Sequence, residues 1–253
     1  MSGIDILLIT LSGLGAGMIN AVIGSGSLLI FPTLLSLGYT PIVANVTTNI
    51  GVLPGSFAGA FAYRRFFEGK YRHVLTASLF SAVGGVSGAL LLLALPPEWF
   101  NAIVPVLIGL AVLLVIFGPR IKRYLLAKGH DPHKPDARLP LFLATGATGI
   151  YGGYFGAGQG IILLSFLTFL LKGGLQRANA YKNVLAATGN TAAGLTFLFL
   201  AEINWGAVLI LAISSFAGGL IGGKYGQRIP EPIYRWFIAA IGIIAIIYFA
   251  LQN

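Results

Sequence analysis

The chain has 253 residues, of which 57% are hydrophobic and only 9% are charged. Soluble domains carry about 25% charged residues, so a water-soluble globule of this composition could not cover its own surface. The apolar content also excludes a disordered chain, and the absence of cysteine excludes a disulfide scaffold. A polytopic all-α membrane protein remains. The 35 glycines agree with it, because glycine is more frequent in membrane helices than in soluble ones.

Long runs without charge predict the membrane segments, since a helix needs about 20 apolar residues to cross the hydrocarbon core. Several runs match a single crossing, and a further run of 33 residues, 139–171, is too long for one straight helix. We predict that 139–171 enters the membrane and returns as a broken re-entrant hairpin, and that 5–37 does the same from the other side. The predicted single crossings are 41–63, 74–95, 99–118, 178–200, 203–223 and 232–251.

The charge distribution predicts the orientation. The net charge of +9 comes from basic residues in short loops beside apolar runs, which indicates positive-inside bias and not nucleic-acid binding. The loops at 96–98 and Glu202 have no basic residue, so we predict that they are external, as are both termini. No basic residue precedes the first apolar stretch, so a cleaved signal peptide is not expected. The regions predicted to be cytoplasmic are 64–72, the linker 119–138, the loop with Lys172 and Arg177, and the loop with Lys224 and Arg228.

The sequence contains an internal repeat. Glycine and asparagine motifs recur in the same order at an offset of 134 residues, or 132 for the earliest matches. We therefore divide the chain into a first transmembrane repeat (1–118), a basic cytoplasmic linker (119–138) and a second transmembrane repeat (139–253). The matching motifs are Gly24-x-Gly26 with Gly156-x-Gly158, Ala44-Asn45 and Asn49 with Ala178-Asn179 and Asn183, and Gly84-Gly85-x-x-Gly88 with Gly218-Gly219-x-x-Gly222.

Three crossings and a re-entrant hairpin in each half would place the halves in opposite orientations. This is the inverted-repeat architecture of many transporters. If both hairpins cross the membrane instead, the chain has eight spans in two parallel repeats.

Each predicted hairpin is interrupted by clustered glycines, at Gly24-Ser25-Gly26-Ser27 and at Gly156-Ala157-Gly158-Gln159-Gly160. Glycine costs about 1 kcal/mol in a helix interior, so both clusters predict a break. A helix that restarts after a break points free N–H groups and the positive end of its dipole at the gap, which favours an anion. The alternative is close helix packing by small residues, which we favour for the Gly84-Gly85 and Gly218-Gly219 pairs.

Polar residues within the predicted helices supply further candidates. Asn49 and Asn183 occupy equivalent places, and their amide N–H groups can donate to an oxyanion. Thr48 is another candidate, and Lys182 could neutralise an anion. Interhelical hydrogen bonding is the alternative for the asparagines, and snorkelling to the surface is the alternative for the lysine. Weaker candidates are Asn20, Tyr151, Tyr154 and Asn190, for which core packing is an equal alternative.

Residues that would carry other chemistry are missing from the predicted membrane interior. All seven acids lie in loops or at segment ends, so no carboxylate pair is available for acid–base catalysis or for a divalent metal. His130 and His133 lie in the polar linker without a third metal ligand. We therefore predict no enzyme, no cofactor and no nucleic-acid partner, and a donor-rich interior that accepts anions. The sequence does not determine the oligomeric state.

Two stretches resemble the TauE/SafE family, the sulfite exporters, and the resemblance extends over essentially the whole chain. The first is Gly13-x-Gly15-Ala16-Gly17-x-x-Asn20-x-x-x-Gly24-Ser25-Gly26, followed by Pro32, Gly38, Pro41 and Ala44-Asn45-x-Thr47-Thr48-Asn49. The second runs from Gly149 to Leu164 and departs from a plain glycine triplet at Gln159. The resemblance implies a multi-pass transporter of the bacterial plasma membrane. Its expected cargo is a small anion such as sulfite, sulfoacetate or thiosulfate.

The residue patterns and the family resemblance lead to the same hypothesis. The hairpin tips meet near the midplane, and N–H groups after Gly26 and Gly158 hold the anion together with Asn49, Asn183 and Lys182. One repeat then rocks against the other to alternate access. An inside-negative potential would favour anion exit by about 2.3 kcal/mol per charge per 100 mV. The alternatives are an anion channel, an intramembrane enzyme such as a lipid phosphatase, and a membrane scaffold without transport.

Overall fold

A computed structural model describes residues 1–67, 71–129, 138–171 and 174–225, together with 233, 236, 239–241 and 243–244. The described residues are helical, with no strand among them, as the composition predicts. The predicted crossing 232–251 and linker residues 130–137 fall largely outside the described residues.

Ten α-helices and one 3-10 turn follow each other along the described chain. Five of the helices are long and apolar enough to cross a membrane, namely Gly3–Val22, Tyr71–Ala94, Pro97–Gly129, Gly174–Leu200 and Trp205–Tyr225. Their outward side chains include large apolar residues such as Leu75 and Ile213, both 73% exposed, as expected of a surface that faces lipid. The helices are α1 (Gly3–Val22), α2 (Ser27–Ser36), α3 (Pro41–Gly51), α4 (Leu53–Ala62), α5 (Tyr71–Ala94), α6 (Pro97–Gly129), α7 (Arg138–Tyr154), α8 (Gln159–Leu170), α9 (Gly174–Leu200) and α10 (Trp205–Tyr225), with the 3-10 turn at Arg64–Phe67.

Both predicted breaks are present. Hairpin 1 consists of α1 and α2, and hairpin 2 consists of α7 and α8. In each, the helix stops just before the glycine cluster and restarts within a few residues. Gly24, Gly156 and Gly158 have φ values of 90°, 78° and 77°, in the left-handed region that side chains disfavour. The glycines are therefore required by the backbone conformation at the breaks.

Two predicted segments differ from the structure. The crossing 41–63 is divided at Val52 into α3 and α4, because Pro54 lacks an N–H and its ring crowds the preceding turn. Its repeat equivalent keeps a continuous helix, α9, since Thr188 stands where Pro54 stands in the first half. The predicted linker also begins as helix, because α6 continues past Pro119 to Gly129, and most residues after the proline favour helix formation.

Helices of each half pack against helices of the other half. Helix α1 of the first half packs on α10 of the second, and α7 of the second half packs on α5 of the first. Glycines make both contacts close. A Cβ on Gly84 would collide with the carbonyl of Gly146, and a Cβ on Gly218 would collide with the carbonyl of Leu14 at the equivalent place. Close packing, the interpretation favoured for these glycine pairs, is therefore what the structure contains.

Candidate functional site

A cavity of about 30 Å³ lies where the two broken hairpins meet α3, α4 and α9. Eleven of the sixteen predicted site residues are among the fifteen that line it. Its volume holds roughly one or two water molecules. The predicted residues that line it are Asn20, Gly24, Ser27, Thr48, Asn49, Gly156, Gln159, Gly160, Lys182, Asn183 and Asn190.

The cavity lies between the repeats and receives equivalent residues from both. Twelve of its lining residues form six pairs related by the same offsets as the sequence motifs. Most pairs are chemically matched, but a threonine stands opposite a lysine. The pairs are Gly24 with Gly156, Ser27 with Gln159, Thr48 with Lys182, Asn49 with Asn183, Val52 with Ala186, and Ser56 with Asn190.

Four lining residues were not among the predicted site: Val52, Ser56, Phe155 and Ala186. The repeat itself could have indicated Ser56, because it is the equivalent of Asn190 and lies two helical turns after Asn49. Val52 and Ala186 follow Asn49 and Asn183 by one turn or less in the same way. Phe155 has no such signal, since its ring is positioned by an edge contact with Phe31 at 5.2 Å between centroids.

The two hairpins touch through their backbones at the cavity. The N–H of Gly160 donates to the carbonyl of Gly24 at 2.9 Å, and Ser27 Oγ donates to the carbonyl of Gly156 at 3.3 Å. A Cβ built on Gly24 would lie 2.6 Å from the Cα of Gly160. Glycine is thus required on both sides of this contact, which joins the repeats at the centre of the molecule.

Lys182 is the charged residue of the cavity lining, and it is only 1% exposed. Its Nζ donates to the carbonyl of Asn20 at 2.9 Å and reaches that of Ala21 at 3.5 Å. These carbonyls belong to the last turn of α1, where the helix leaves its acceptors without intrahelical partners. The ammonium therefore points into the protein, and snorkelling to the surface does not describe this lysine.

Side-chain amides also connect each half to the broken helix of the other half. Asn183 Nδ2 donates to the carbonyl of Ala21 at 3.3 Å, and Asn45 Nδ2 donates to the carbonyl of Tyr154 at 2.9 Å. Interhelical hydrogen bonding, the alternative stated for the asparagines, is thus present at Asn183, which also lines the cavity. Asn45 makes a similar bond from the first half, although it is the repeat equivalent of Asn179 and does not line the cavity.

Three buried polar atoms of the lining have no hydrogen-bond partner among the described residues: Thr48 Oγ1, Asn49 Oδ1 and Asn190 Oδ1. Buried polar groups are normally hydrogen-bonded, so these atoms are available to a ligand or to water. An amide can present either its oxygen or its NH2 after rotation, so the asparagines can serve as donors or acceptors.

The backbone N–H groups are less available than the sequence predicts. After Gly158, the N–H groups of Gln159 and Ile161 donate to carbonyls within the second break, and the N–H of Gly160 donates to the carbonyl of Gly24 in hairpin 1. In the first half, the N–H of Gly26 donates to Asn20 Oδ1 at 2.8 Å, and after it the N–H groups of Leu28 and Leu29 donate to the carbonyls of Ser25 and Gly26. The expectation of free N–H groups after both breaks is therefore wrong for these positions in this closed arrangement.

The other five predicted residues shape the breaks and do not line the cavity. Tyr151 donates its hydroxyl to the carbonyl of Ala157 at 2.6 Å, across the second break. The ring of Tyr154 packs edge-on against Phe100 at 5.6 Å between centroids. The remaining three are Ser25, which is fully buried, Gly26, which lies against the carbonyl of Ala16, and Gly158, which lies against Ala111 of α6.

No metal site is indicated in the described part of the chain. No group of three or more His, Asp or Glu side chains is close enough there to hold an ion. The lining of the cavity contains no carboxylate. The histidines of the linker, His130 and His133, lie outside the described residues.

Known proteins resemble this chain along most of its length. The family model described as "Sulfite exporter TauE/SafE" matches residues 9–249. A "Probable membrane transporter protein ORF9" of Sinorhizobium sp is 29% identical over 86% of this chain and 83% of its own. A "Probable membrane transporter protein" of Haemophilus influenzae is 28% identical over 88% and 86%. The "Probable membrane transporter protein YfcA" of Escherichia coli K12 is 28% identical over 86% and 81%.

Proposed function

The chain belongs to the TauE/SafE family of membrane transporters, and we propose that it exports small anions, such as sulfite or organosulfonates, across the bacterial plasma membrane. The observation that carries this proposal is the cavity between the repeats, with the Lys182 ammonium and unpartnered polar atoms in its wall. The family description supports sulfur oxyanions as the substrate class.

The charges of the cavity favour an anion over a cation. Among the described residues, no carboxylate lines the cavity or lies within ion-pair distance of Lys182. A buried charge without a counterion is costly, so an anion beside the ammonium would stabilise the site. A cation would meet that ammonium without any acidic group to compensate.

We propose that the repeats are inverted, and the order of the contacts between helices supports this arrangement. In four packed pairs, the residue numbers of the contacting positions rise together along both helices, so the two helices run parallel: α5 with α7, α5 with α9, α1 with α10, and α3–α4 with α10. Between α4 and α9, the residue number rises along one helix as it falls along the other, so these two helices are antiparallel. Because α4 and α9 are repeat-equivalent, this supports opposite directions for the two repeats. The contacts are Gly84–Gly146 and Gly88–Ile150, Ser81–Leu185 and Gly85–Gly189, Leu14–Gly218 and Met18–Gly222, Gly51–Leu211 and Gly55–Ser215, and Gly59–Asn183 with Leu53–Gly194.

The same helix directions separate the charged residues by sign. Under this arrangement the acidic residues of the described helix ends, Asp5, Glu98 and Glu202, share one side. The positive-inside rule supports a cytoplasmic position for the basic side. An inside-negative potential would then drive an anion outward, by about 2.3 kcal/mol per charge per 100 mV. The basic side carries Arg64, Arg65, Arg72, Arg120, Arg138 and Lys224.

Alternating access is the mechanism that fits a cavity too small for an anion. With room for roughly one or two waters, the cavity must open to admit an anion. The bonds that hold it closed all join different repeats: Gly160 to Gly24, Ser27 to Gly156, and Lys182 to Asn20. Rocking of one repeat against the other would break some of these bonds while others stay in place, and would thereby expose the cavity to one side of the membrane.

Flux of sulfite into liposomes that contain the purified protein tests the proposal. We expect saturable flux that falls at least tenfold in Lys182→Met, because the variant removes the positive charge of the cavity. Lys224→Met is the matched control, since this exposed lysine at the end of α10 lies outside the cavity. Wild-type flux in Lys182→Met would overturn the proposal, and flux that rises linearly without saturation would indicate a channel.

A further inference from the structure

We infer that the cavity selects anions that carry a single negative charge, and that it disfavours dianions of the same size and shape. The inference rests on the proposed function and narrows its substrate class. Its basis is the difference between the repeats at one position, where Lys182 in the second half corresponds to Thr48 in the first.

The charge of the lining is +1 when Lys182 is protonated, because the other fourteen lining residues are uncharged. The nearest basic residue along α9 is Arg177, which belongs to a different cluster. Its guanidinium lies over the ring of Tyr181, 5.5 Å from the centroid, and it does not line the cavity. One bound monoanion therefore makes the described cavity neutral.

The second charge of a dianion would have no counterion. Both partners of an ion pair lose hydration when they are buried, and an excess charge has no attraction to offset that loss. Lys182 has three N–H donors, and two already reach the carbonyls of Asn20 and Ala21. It can therefore offer one charged hydrogen bond to a ligand without releasing α1.

The remaining polar groups are neutral and serve ligands of either charge. Thr48 Oγ1 can donate or accept, and Asn49 and Asn190 can turn either end of their amides toward the cavity. They suit an oxyanion head with several oxygens, including one that retains a proton, such as hydrogen sulfite. They add hydrogen bonds to either kind of ligand, so the preference for one charge comes from Lys182 alone.

Methanesulfonate and sulfate are the probes that test this inference. Both are compact tetrahedral anions with a central sulfur, but methanesulfonate carries one negative charge and sulfate carries two. With purified protein in detergent, we expect methanesulfonate to bind at least tenfold more tightly than sulfate in calorimetric titration. Lys182→Met is expected to abolish binding of methanesulfonate, whereas Lys224→Met leaves it unchanged.

Sulfite gives an independent test, because its dianion takes up a proton near neutral pH. We expect the affinity for sulfite to rise relative to that for methanesulfonate as the pH is lowered through that range, because the protein is the same in both titrations and only sulfite changes its charge. Thr48→Lys places a second ammonium at the equivalent position and is expected to raise the affinity for sulfate relative to methanesulfonate. If Thr48→Lys does not fold, the ratio measured on the wild type decides.

The outcomes separate this inference from the proposed function. Binding of sulfate as tight as that of methanesulfonate, with both lost in Lys182→Met, would overturn the single-charge preference and leave anion transport standing. Absence of binding and of flux for both anions and for sulfite would overturn both.

Discussion

The contact between Gly160 and Gly24 holds the two hairpins together, and Gly160→Ala is the substitution that tests its role. The added Cβ would collide with Gly24 Cα, a backbone atom that cannot rotate away. Crowding of this kind typically costs about 1–3 kcal/mol. Separation of the hairpins would also break the Gly160 N–H bond to Gly24, a loss of about 1 kcal/mol. The helix propensity of alanine, about 1 kcal/mol better than that of glycine, acts on α8 in both arrangements and does not change the balance between them.

The expected net effect is a loss of about 2–4 kcal/mol for the closed arrangement relative to an open one. Each 1.4 kcal/mol changes that equilibrium about tenfold. The absence of cysteine from the sequence allows a single reporter, Ser56→Cys, in the cavity wall. We expect Gly160→Ala to raise the rate at which a water-soluble maleimide labels this cysteine by about tenfold or more.

Gly146→Ala is the matched control in hairpin 2. A Cβ there has its nearest atom, the carbonyl oxygen of Phe80, at 3.8 Å, an ordinary contact. We expect unchanged labelling and a thermal stability in detergent that is equal or slightly higher. Equal labelling rates in Gly160→Ala and Gly146→Ala, with both proteins folded, would refute the assignment of the hairpin contact as a closure of the cavity.

Three further substitutions test the packing around the site. Asn45→Ala leaves the carbonyl of Tyr154 without its hydrogen bond, so we expect a loss of about 1–3 kcal/mol in stability. This loss is measured as a lower melting temperature in detergent. Anion affinity is expected to stay unchanged, because Asn45 does not line the cavity. Gln159→Ala removes the side chain that fills the space beside Gly152 and should widen the cavity. We expect the flux of larger organosulfonates to rise relative to that of methanesulfonate. An unchanged flux ratio would count against a role of Gln159 in limiting the size of the substrate. Gly88→Ala would force a Cβ against the carbonyl of Ile150 and within 2.8 Å of Tyr154 N, so its melting temperature should fall, whereas Gly3→Ala, with no atom within 4 Å, should melt like the wild type.

Local properties of the sequence predicted much of this fold. Charge-free runs indicated the membrane helices, because the cost of placing a charge in hydrocarbon depends on the residue itself. Clustered glycines indicated both hairpin breaks for a similar reason, since each glycine weakens the helix at its own position. Pro54 carried a local signal as well, for the division between α3 and α4, although 41–63 was predicted as one crossing. The family was recognisable from the same motifs, and the family model confirmed it.

Most of the candidate site was also predictable, because the repeat points to the same positions in both halves. The offset relates Asn49 to Asn183, and it would have added Ser56 from Asn190. The residues near the glycine breaks follow from the breaks themselves. The repeat and the glycine breaks thus predict where along each helix a site residue lies.

The contacts between the halves were decided by the tertiary structure alone. Lys182 bonds to α1 across 162 positions of sequence, and Ser27 bonds to Gly156 across 129. Whether the N–H of Gly160 is free depended on how closely hairpin 1 approaches hairpin 2, which no local pattern encodes. A hydrogen-bond partner is selected by distance and angle after the helices have packed. The sequence alone therefore determined which polar groups enter the membrane, and the packing of the two repeats determined which of them remain available to an anion.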